Sequence, residues 1–557
     1  MDNREIARML DETADILEIL GENPFKVRAY RKAASNINRL ETDLREIWAQ
    51  GRLGELPGVG KAIRAKLEEI MTTGDLRYYR ELQKKVPPGV TEMLAIPGLG
   101  PKTIGSIYTQ TGIDSLEKLY QAARDKKLRE LPGIGAKTEY NVKKGIEMLR
   151  SLGETVTLGT ALPLAEEFKD YLKGYDYVEA VEIVGSIRRG KPLVGDIDLL
   201  VASNSENLVR EAVKRFRRLR EIGKESQGYI AGKLGLGVDF EVIIVSPSDF
   251  CLAVMLATGS RGHREKLVQE MEGLDVSGAS TEADVYGLLS MQFIPPELRE
   301  DRDEIEQARQ HCLPELVKLG DLRGDLHIHT SWSDGASSLE EMVAAARRLG
   351  YSYMAVTEHS RSLSVSRGLD EERLMNQVRA IQEINRSLDD FTVLTGIEVD
   401  ILKDGRLDLP DEILEQLDVV IASVHSHFRL SRQEQTERII SAIKNEHVDI
   451  IGHLTGRLLL RRPGYEVDVE AIIEQARKFR TALEINSHPD RLDISEEVAR
   501  LARDAGVKVA INSDAHHHAD MSLVTYGVLD ARRGWLRKED VINTLETGEL
   551  LAYLRNK

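Results

Sequence analysis

The chain has 557 residues, more than one hydrophobic core usually organises, so several folded units are expected. With 41% apolar residues, two cysteines and no apolar run of about eighteen residues, the composition argues against a membrane span, a disulfide scaffold and a cysteine zinc cluster. The formal net charge is −16. The acidic, polar N-terminus lacks a secretory pattern and the two cysteines indicate a reducing setting, so we expect a cytoplasmic protein without a membrane partner.

The charged residues and the histidines are distributed unevenly along the chain. Residues 1–150 carry 26 lysines and arginines against 22 aspartates and glutamates, whereas 11 of the 13 histidines lie beyond residue 320. A solvated acidic surface would explain the negative charge of the later residues but not their histidines. A metal site built from carboxylates and imidazoles would explain both.

One short pattern occurs three times, at 56–63 (LPGVGKAI), 96–104 (IPGLGPKTI) and 131–138 (LPGIGAKT). Each copy precedes a predicted helix, so its glycines predict a tight turn whose backbone N–H groups suit a phosphate. The alternative, three unrelated Pro-Gly turns, is disfavoured by the shared pattern. The copies resemble helix-hairpin-helix elements, which hold the DNA backbone without reading sequence. The residues expected to contact DNA are Gly58, Gly60, Lys61, Gly98, Gly100, Lys102, Gly133, Gly135 and Lys137.

A basic segment at 25–34 (FKVRAYRKAA) predicts a helix that contacts DNA through Lys26 and Tyr30, with a solvated basic face as the alternative. Together with the first Pro-Gly turn, it resembles the amino-terminal lyase domain of DNA polymerase beta. The resemblance implies that Lys66 forms a Schiff base with an abasic sugar, helped by neighbouring cations that lower its pKa. The family has a second lysine where this chain has Ala62, and an exposed structural lysine is the alternative for Lys66.

The middle of the chain predicts two aspartates side by side on one strand. Asp196 and Asp198 alternate with apolar residues, which places both on the same face, and Asp239 lies on a later predicted strand. Adjacent carboxylates repel each other unless cations lie between them, so the pattern predicts a metal pair. Two Mg²⁺ or Mn²⁺ ions about 4 Å apart would activate a primer 3′-hydroxyl and stabilise the leaving pyrophosphate.

A Gly-Ser turn, an Arg-Arg pair and Gly-Asp-x-Asp, in this order over 185–198, resemble the nucleotidyltransferase fold. With the front of the chain they resemble family X DNA polymerases over residues 1 to about 300. The resemblance implies gap filling, with deoxynucleoside triphosphates and gapped or damaged DNA, carrying a 5′-phosphate and a 3′-end, as partners. The residues expected to bind the nucleotide are Gly185, Ser186, Arg189, Gly195, Thr258 and Gly259.

The nucleotide pocket departs from the family pattern at several positions. Glu241 stands where the family usually has an arginine, and Leu256 and Ala257 replace two aromatic residues. Arg264 stands where the family commonly has an asparagine. These departures predict nucleotide incorporation that is slower or less selective than in the family, or lost.

From Gly324 onward, short apolar strands alternate with helices, which indicates an α/β barrel-like unit with polar residues at the strand ends. Loops at the carboxyl ends of such strands meet on one face, so these polar residues are expected to form one site. The nine groups are His327, His329, Asp334, His359, Glu398, His425, His453, Asp514 and His516.

This last part of the chain resembles the polymerase and histidinol phosphatase (PHP) domain. The resemblance implies about three ions, for which imidazole and carboxylate ligands favour Zn²⁺ or Mn²⁺. The first would be held by His327, His329, Glu398 and Asp514, the second by Glu398, His425 and His453, and the third by Asp334, His359 and His516. In the family such sites serve 3′-5′ exonuclease, 3′-phosphatase or abasic-site endonuclease chemistry. Arg457 is expected to clamp a phosphate, with a surface arginine as the alternative.

We therefore expect a multidomain chain with all-α helix-hairpin-helix domains, an α+β nucleotidyltransferase palm and a C-terminal α/β barrel-like PHP domain. The expected boundaries are 1–85 (lyase-like), 86–150 (fingers), 151–245 (palm), 246–300 (thumb), 301–320 (linker) and 321–557 (PHP). The predicted function is a monomeric gap-filling DNA repair polymerase that also hydrolyses 3′ ends. The alternatives are a PHP nuclease with a degenerate polymerase half, a small-molecule phosphatase, and a scaffold without catalysis.

Overall fold

The computed structural model describes residues 3–38, 40, 42–96, 99–135, 138–140, 142–143, 145–146, 155–276, 278–363 and 366–555. The chain divides into two compact units, Met1–Gly153 with Leu460–Arg462, and Glu154–Leu459 with Pro463–Lys557. Each unit is described by itself. Among the described residues, no helix combines the length and the apolar character needed to cross a membrane.

The described part of the first unit is helical. Its first helix presents Ile6, Leu10 and Leu17 on one face, a spacing that buries all three against the second helix. The α-helices are Asn3–Ile19, Pro24–Asn38, Leu44–Ala49, Lys61–Thr73, Arg77–Gln83, Pro88–Glu92, Pro101–Thr111 and Leu116–Arg124. Short 3₁₀ turns lie at Leu53–Glu55, Met93–Ala95 and Leu128–Glu130, just before the three Pro-Gly turns.

The second unit begins with a small two-stranded ribbon and a five-stranded mixed sheet. The ribbon pairs β1 (Val156–Thr157) with β3 (Leu193–Val194), and the sheet has the order β2-β4-β7-β6-β5. Its strands are β2 (Ala180–Ile183), β4 (Asp196–Ala202), β5 (Leu219–Ser226), β6 (Tyr229–Leu234) and β7 (Asp239–Val245). Helices Leu158–Lys173 and Glu206–Lys214 bury their apolar faces in the core of this sheet. The neighbouring β4 and β7 run parallel and carry the predicted catalytic aspartates.

A helical layer follows the sheet, with helices Phe250–Thr258, Arg261–Glu270, Glu282–Leu288 and Glu304–Arg309. Residues 301–320 were expected to be a linker, but Ile305, Ala308 and Leu313 are buried in the core of this layer. Trp535, from the far end of the chain, is 2% exposed and belongs to the same core. The layer and the C-terminal part of the unit therefore share one hydrophobic core.

The C-terminal part is a seven-stranded parallel sheet in sequential order. A further bridge joins Ile328, at the end of the first strand, to Ala515, just after the last strand, so the sheet nearly closes into a barrel. The strands are β8 (Gly324–Ile328), β9 (Tyr353–His359), β10 (Thr392–Asp400), β11 (Val419–Ser423), β12 (Ile450–Ile451), β13 (Ala482–Asn486) and β14 (Val509–Asn512). Nearly every strand residue is buried, as expected for a parallel sheet covered on both faces.

Helices surround the barrel and connect its strands. They are Leu339–Arg348, Glu371–Asn385, Asp411–Leu414, Arg432–Ile443, Val469–Phe479, Glu496–Asp504, Val524–Arg533 and Thr547–Arg555. Most begin with a side-chain cap, such as Ser338, Ser431 and Ser495, whose hydroxyls accept a hydrogen bond from the first turn. The predicted fold class, with helical front, α+β middle and barrel-like back, is confirmed.

Candidate active sites and DNA-binding turns

The nine groups predicted to bind metals gather at the carboxyl ends of the barrel strands. His327 lies on β8 and His329 directly after it, His359 ends β9, and Glu398 lies near the end of β10. The remaining groups stand in loops that follow β8, β11, β12 and β14. They are Asp334, His425, His453, Asp514 and His516.

Glu398 is at the centre of this gathering. Its Oε1 lies 3.2 Å from Nε2 of His425 and 3.3 Å from Nε2 of His453. Its Oε2 lies 2.7 Å from Nδ1 of His359, 3.5 Å from Nε2 of His327 and 3.6 Å from Nε2 of His329. One carboxylate thus faces imidazoles on opposite sides, which is the arrangement of a bridging metal ligand.

Two further carboxylates complete the site. Asp514 Oδ1 lies 3.1 Å from Nε2 of His329, and its Oδ2 lies 3.5 Å from Nε2 of His453. Asp334 lies 3.6 Å from Nε2 of His359 and 3.5 Å from Nε2 of His516. Within the described residues, the ligand-type side chains form four overlapping groups whose atoms lie within 4.8 Å of one another. They are His329, Asp334, His359 and His516; His327, His453 and Asp514; His327, His329 and Glu398; and His359, Glu398 and His425.

The nitrogen and oxygen atoms of this site are arranged to bind metal ions and not to form hydrogen bonds with one another. Both oxygens of Glu398, both ring nitrogens of His329, Nε2 of His327 and Oδ1 of Asp514 are buried without a hydrogen-bond partner in the described chain. Unpaired buried polar atoms are rare because each costs about 1–3 kcal/mol. Here they converge on common points, so bound cations would satisfy them together. The site can therefore hold metal ions.

The electrostatics of the site also call for cations. Burial opposes a charge on His425, yet Glu398 and Asp400 raise its pKa to about 10. Burial likewise opposes a charge on His516, while Asp334 and Asp514 raise its pKa to about 9. His329 differs, because burial and the neighbouring His516 and His359 lower its pKa to about 3. The carboxylates thus hold positive charge in the site, which metal ions would supply in place of protons.

A second layer of side chains orients the candidate ligands. Glu484 on β13 accepts a hydrogen bond from Nδ1 of His327 at 2.6 Å and another from the Asn512 amide at 2.9 Å. Asp400 lies 2.7 Å from Nδ1 of His425, and Asn486 donates to Asp514 at 3.1 Å. Such partners fix the ring orientation and leave the other nitrogen for the metal.

The palm sheet holds its carboxylates on two neighbouring strands. Asp196 pairs in register with Asp239, and Asp198 pairs with Glu241. Burial, followed by the charges of Asp196 and Glu241, raises the pKa of Asp198 to about 7, against the opposing effect of Arg189. This repulsion is what a cation between the strands would relieve. In the described chain the three aspartates do not form a group as tight as those of the barrel.

The Gly-Ser turn lies against these carboxylates. Gly185 has a φ of +64°, and a side chain there would collide with the carboxylate of Asp198, so only glycine fits. The hydroxyl of Ser186 is buried without a partner in the described chain, as expected for a group that awaits a ligand. Gly195 stands in open space directly before β4. The turn can therefore present its backbone and Ser186 to a phosphate.

Three other predicted nucleotide contacts have protein partners. Arg189 is 8% exposed, and it donates to the Glu300 carboxylate at 2.9 Å and to the carbonyl oxygen of Thr258 at 2.8 Å. Thr258 is fully buried, and its hydroxyl accepts from Arg188 at 2.6 Å. Gly259 is buried beside the ring of His263. The structure thus gives these residues a part in shaping the site and leaves little of them exposed to a nucleotide.

The three Pro-Gly turns share one geometry. In each, the second apolar residue donates a backbone hydrogen bond to the first, from Val59 to Leu56, from Leu99 to Ile96 and from Ile134 to Leu131, at 3.1 Å every time. Gly58 and Gly133 have φ values of +79° and +81°. Gly60 and Gly100 begin helices without a side-chain cap. Gly135 lies in the third turn, and Gly98 and Lys137 lie outside the described residues.

The helix starts of the first two turns are open to solvent. Gly60 and Gly100 are exposed, and so are Lys61 and Lys102 directly beside them. Their uncapped N–H groups, the helix dipole and a lysine therefore face outward together, which suits a DNA phosphate.

The basic helix near the N-terminus builds a small cluster around Tyr78. Lys26 donates to the Tyr78 hydroxyl at 2.7 Å, and Nζ of Lys66 lies 4.1 Å from the Tyr78 ring centroid. Burial lowers the pKa of Lys66, with Glu69 opposing and Lys26 contributing. Tyr30 is 3% exposed and belongs to the helical core, so the structure gives it a packing role in place of the predicted DNA contact.

Comparisons with known proteins agree with this architecture. A helix-hairpin-helix domain model matches residues 1–76, a SAM-like helix-hairpin-helix tandem model matches 90–147, and a PHP domain model matches 325–488. The DNA polymerase/3'-5' exonuclease PolX of Bacillus subtilis (strain 168) is 35% identical over 574 residues, spanning 100% of both chains. The chain belongs to the PolX family.

Other relatives resemble only part of this PolX chain. A probable phosphatase of Thermoanaerobacter sp. (strain X514) is 32% identical over 244 residues, which cover 42% of this chain and 94% of the relative. A probable phosphatase of Aliivibrio fischeri (strain MJ11) is 30% identical over 207 residues, covering 35% and 79%. The predicted resemblance to family X polymerases with a PHP domain is confirmed. Membership of this family also supports the expectation that the chain binds DNA and depends on metal ions.

Two side chains that orient the ligands of this PolX site carry no recognisable signal in the sequence. Glu484 lies within β13 and Asp400 ends β10. Nearly every residue of these strands is buried, so no alternation marks the two carboxylates as polar partners. Arg457 donates to the backbone carbonyls of Arg491 and Leu492 and so supports a loop. Arg491 places a cation beside the site, because its Nε lies 3.7 Å from Asp514 Oδ2.

Proposed function

We propose that this PolX chain fills short gaps in damaged DNA and trims or repairs 3′ ends. Nucleotidyl transfer takes place at Asp196, Asp198 and Asp239, and hydrolysis takes place at the nine groups of the barrel. The observation that carries the proposal is the presence of both sites in one chain that matches a PolX protein along its whole length.

In the polymerase site, Asp196, Asp198 and Asp239 would hold Mg²⁺ or Mn²⁺, which lowers the pKa of a primer hydroxyl and neutralises charge on the leaving pyrophosphate. The Gly185–Ser186 turn binds the triphosphate of a deoxynucleotide. Arg189 adds positive charge behind that turn. The pocket differs from the family pattern, because Glu241 replaces an arginine and Leu256 and Ala257 replace larger aromatic residues.

In the barrel, the nine groups would hold about three Zn²⁺ or Mn²⁺ ions, which would supply an activated water and positive charge for the phosphate during hydrolysis. Glu398 would be a ligand through both of its carboxylate oxygens. Glu484 and Asp400 hold the rings of His327 and His425 in the tautomer that leaves the other ring nitrogen for an ion. Arg491 offers its charge to the substrate phosphate at the edge of the site. A 3′-terminal phosphodiester, a 3′-phosphate and an abasic site all present a phosphate to these groups.

The helix-hairpin-helix turns bind the DNA. The exposed Gly60, Lys61, Gly100 and Lys102 bind backbone phosphates, and Lys66 attacks the abasic sugar at the 5′ side of a gap. The protein acts as a monomer, which size-exclusion chromatography with light scattering would check.

The proposal is tested with a 5′-phosphorylated single-nucleotide gap, a labelled primer, deoxynucleotides and Mn²⁺. We expect the wild type and His425→Ala to extend the primer by one nucleotide, and Asp198→Ala not to extend it. Without nucleotides, the wild type and Asp198→Ala shorten the primer, and His425→Ala does not. Shortening without any extension by the wild type would instead assign a nuclease with a docking module. Faster hydrolysis of a phosphomonoester metabolite than of a DNA 3′ end would assign a small-molecule phosphatase.

A further inference from the structure

The nucleotide-binding turn of the palm is held by a residue from the far end of the chain. The turn Gly185–Arg188 leads into Arg189, and the carbonyl oxygen of Arg189 accepts a hydrogen bond of 2.9 Å from Nη1 of Arg533. Arg533 is the last residue of the helix Val524–Arg533, which packs on β13 and β14 of the barrel. The contact lies within the second compact unit.

A shared carboxylate reinforces this contact. Glu300 accepts a hydrogen bond from Nε of Arg189 at 2.9 Å and another from Nη1 of Arg533 at 2.9 Å. On its other side Arg533 pairs with Glu496. The side chains of Arg189, Glu300 and Arg533 are only 10%, 9% and 2% exposed, so water cannot replace a lost partner easily.

Apolar packing joins the same two elements. Leu529, one turn before Arg533, lies against Gly190, where an added side chain would come within 3.2 Å of the Leu529 Cβ. Tyr526 and Leu529 both pack against the hydrophobic core of the palm. The barrel helix therefore fixes the backbone directly after the Gly-Ser turn by one hydrogen bond, one shared carboxylate and one apolar contact.

The position of this turn decides whether it can bind a nucleotide. Gly185 touches the Asp198 carboxylate, and the unpartnered Ser186 hydroxyl lies next to it. A small displacement of Arg189 would therefore move the phosphate-binding groups away from the catalytic aspartates. The Arg189 side chain already donates to Glu300 and to the carbonyl oxygen of Thr258. It therefore cannot move to bind the phosphate when the turn is displaced.

We propose that Arg533 is a positioning residue for nucleotide binding, so that the barrel part of the chain holds the polymerase turn in its working geometry. The inference rests on the proposed polymerase function and adds to it a residue that lies outside the palm and thumb. It predicts that a change in the barrel helix weakens nucleotide binding while the hydrolytic site stays intact.

The chain offers a matched control in the neighbouring Arg532. This residue lies on the same helix and also forms an ion pair across to the polymerase half, with Glu297 at 2.6 Å, and a hydrogen bond to the Val317 carbonyl at 3.0 Å. Among the described residues, no hydrogen bond or ion pair joins Arg532 to Arg189. Loss of either arginine removes a similar link, but only loss of Arg533 frees the turn.

The experiment measures the dissociation constant of the complementary deoxynucleotide on a single-nucleotide gap whose primer ends in a dideoxynucleotide, with Mg²⁺ present. The full-length wild type, Arg533→Met, Arg533→Lys and Arg532→Met are compared. We expect Arg533→Met to raise the dissociation constant about tenfold, because it removes charge-assisted hydrogen bonds. Arg533→Lys, which keeps the charge, should raise it about threefold, and Arg532→Met less than about twofold.

Hydrolysis of a DNA 3′ end by the same preparations reports on the barrel and should not change in the three variants. If Arg533→Met fails to fold, the dissociation constants of Arg533→Lys and Arg532→Met are compared instead. Equal dissociation constants for the wild type and both Arg533 variants, or equal weakening by Arg532→Met, would overturn the inference.

Extension of an unblocked primer separates the two proposals. If the Arg533 substitutions weaken nucleotide binding but the wild type never extends the primer, the polymerase function is refuted and the positioning role of Arg533 in nucleotide binding still holds. A wild type that extends the primer, with unchanged binding in the Arg533 variants, refutes the inference alone. A wild type that binds no nucleotide refutes both.

Discussion

Asp198 on β4 lies directly opposite Glu241 on the parallel strand β7. Glu241 also accepts a hydrogen bond from the Tyr229 hydroxyl at 2.7 Å, so its carboxylate is held in place. An anion is thus fixed beside the catalytic carboxylates, close to where the triphosphate of a nucleotide would lie.

Replacing Glu241 by glutamine should improve nucleotide binding. The amide keeps an oxygen for Tyr229 but removes one negative charge, so we expect the KM for deoxynucleotides to fall about threefold in single-nucleotide gap filling. Tyr229→Phe is the control, because it removes the hydrogen bond and leaves the charge, and its KM should not fall. An unchanged KM in Glu241→Gln would show that this charge does not act on the nucleotide.

Replacing Glu484 by glutamine should weaken hydrolysis without removing any proposed metal ligand. Glutamine cannot accept two hydrogen bonds as strongly at the same oxygen, so His327 loses its fixed orientation, and activity on a DNA 3′ end should fall about 10- to 100-fold. Raising the Mn²⁺ concentration should restore part of it. Glu474→Gln, on an exposed helix position, serves as the control. Full activity of Glu484→Gln at low Mn²⁺ would contradict this orienting role.

Lys66 should be trapped covalently on DNA. Its lowered pKa leaves more of the amine neutral, so sodium borohydride should cross-link the wild type to DNA with a 5′ abasic sugar phosphate. Lys66→Ala should reduce the cross-link at least about tenfold. Lys102→Ala, which changes a lysine of the second turn, should retain it. Equal trapping of Lys66→Ala would place the Schiff base elsewhere.

The stability of the second unit should depend on pH through Asp530. This residue is 1% exposed, neither of its oxygens has a hydrogen-bond partner in the described chain, and burial raises its pKa to about 7 from 3.8. The charged groups that act on it are Arg457 and Arg533, which favour its anion, and Glu496 and Glu497, which oppose it.

Because the folded pKa lies above the unfolded value, the stabilisation by neutral Asp530 is complete below pH 4 and is lost as the pH rises through about 7. Asp530→Asn keeps the neutral form at every pH. Its melting temperature relative to wild type should therefore rise between pH 5.5 and 8, by about 3 °C, and stay constant above. Asp389→Asn, at an exposed position, should show no such trend. A difference that does not vary with pH would rule out this titration.

Local patterns predicted the parts of the sites that lie at strand ends and in turns. Alternation predicts Asp196 and Asp198 on one face, and the polar residues at the barrel strand ends are predicted to form one site, where the structure brings them together. The repeated Pro-Gly pattern predicted turns that share one hydrogen bond. These features follow from neighbours in the chain, so the sequence carries them directly.

Contacts between distant segments could not be predicted in this way. Glu484 and Asp400 lie on strands buried on both faces, where the alternation of polar and apolar residues disappears. Arg189 was predicted to bind a triphosphate because its motif does not reveal Glu300 or Arg533. Residues 301–320 were predicted as a linker from their charge, although the apolar residues among them fill a core. Glu484 and Arg189 meet partners that are more than a hundred residues away in the chain. The partner of Asp400 is only 25 residues away, but it lies on the loop that follows the neighbouring strand.

Trp535 makes the folding of the polymerase half and of the barrel half of the second unit depend on each other. Its side chain belongs to the same buried core as Met255, Leu267 and Tyr286, so a fragment that stopped before the barrel would lack part of that core. Such a fragment would expose an apolar surface and tend to aggregate. The polymerase half is therefore not a cassette that can be cut out or recombined alone, and evolution of one activity takes place under the folding constraints of the other.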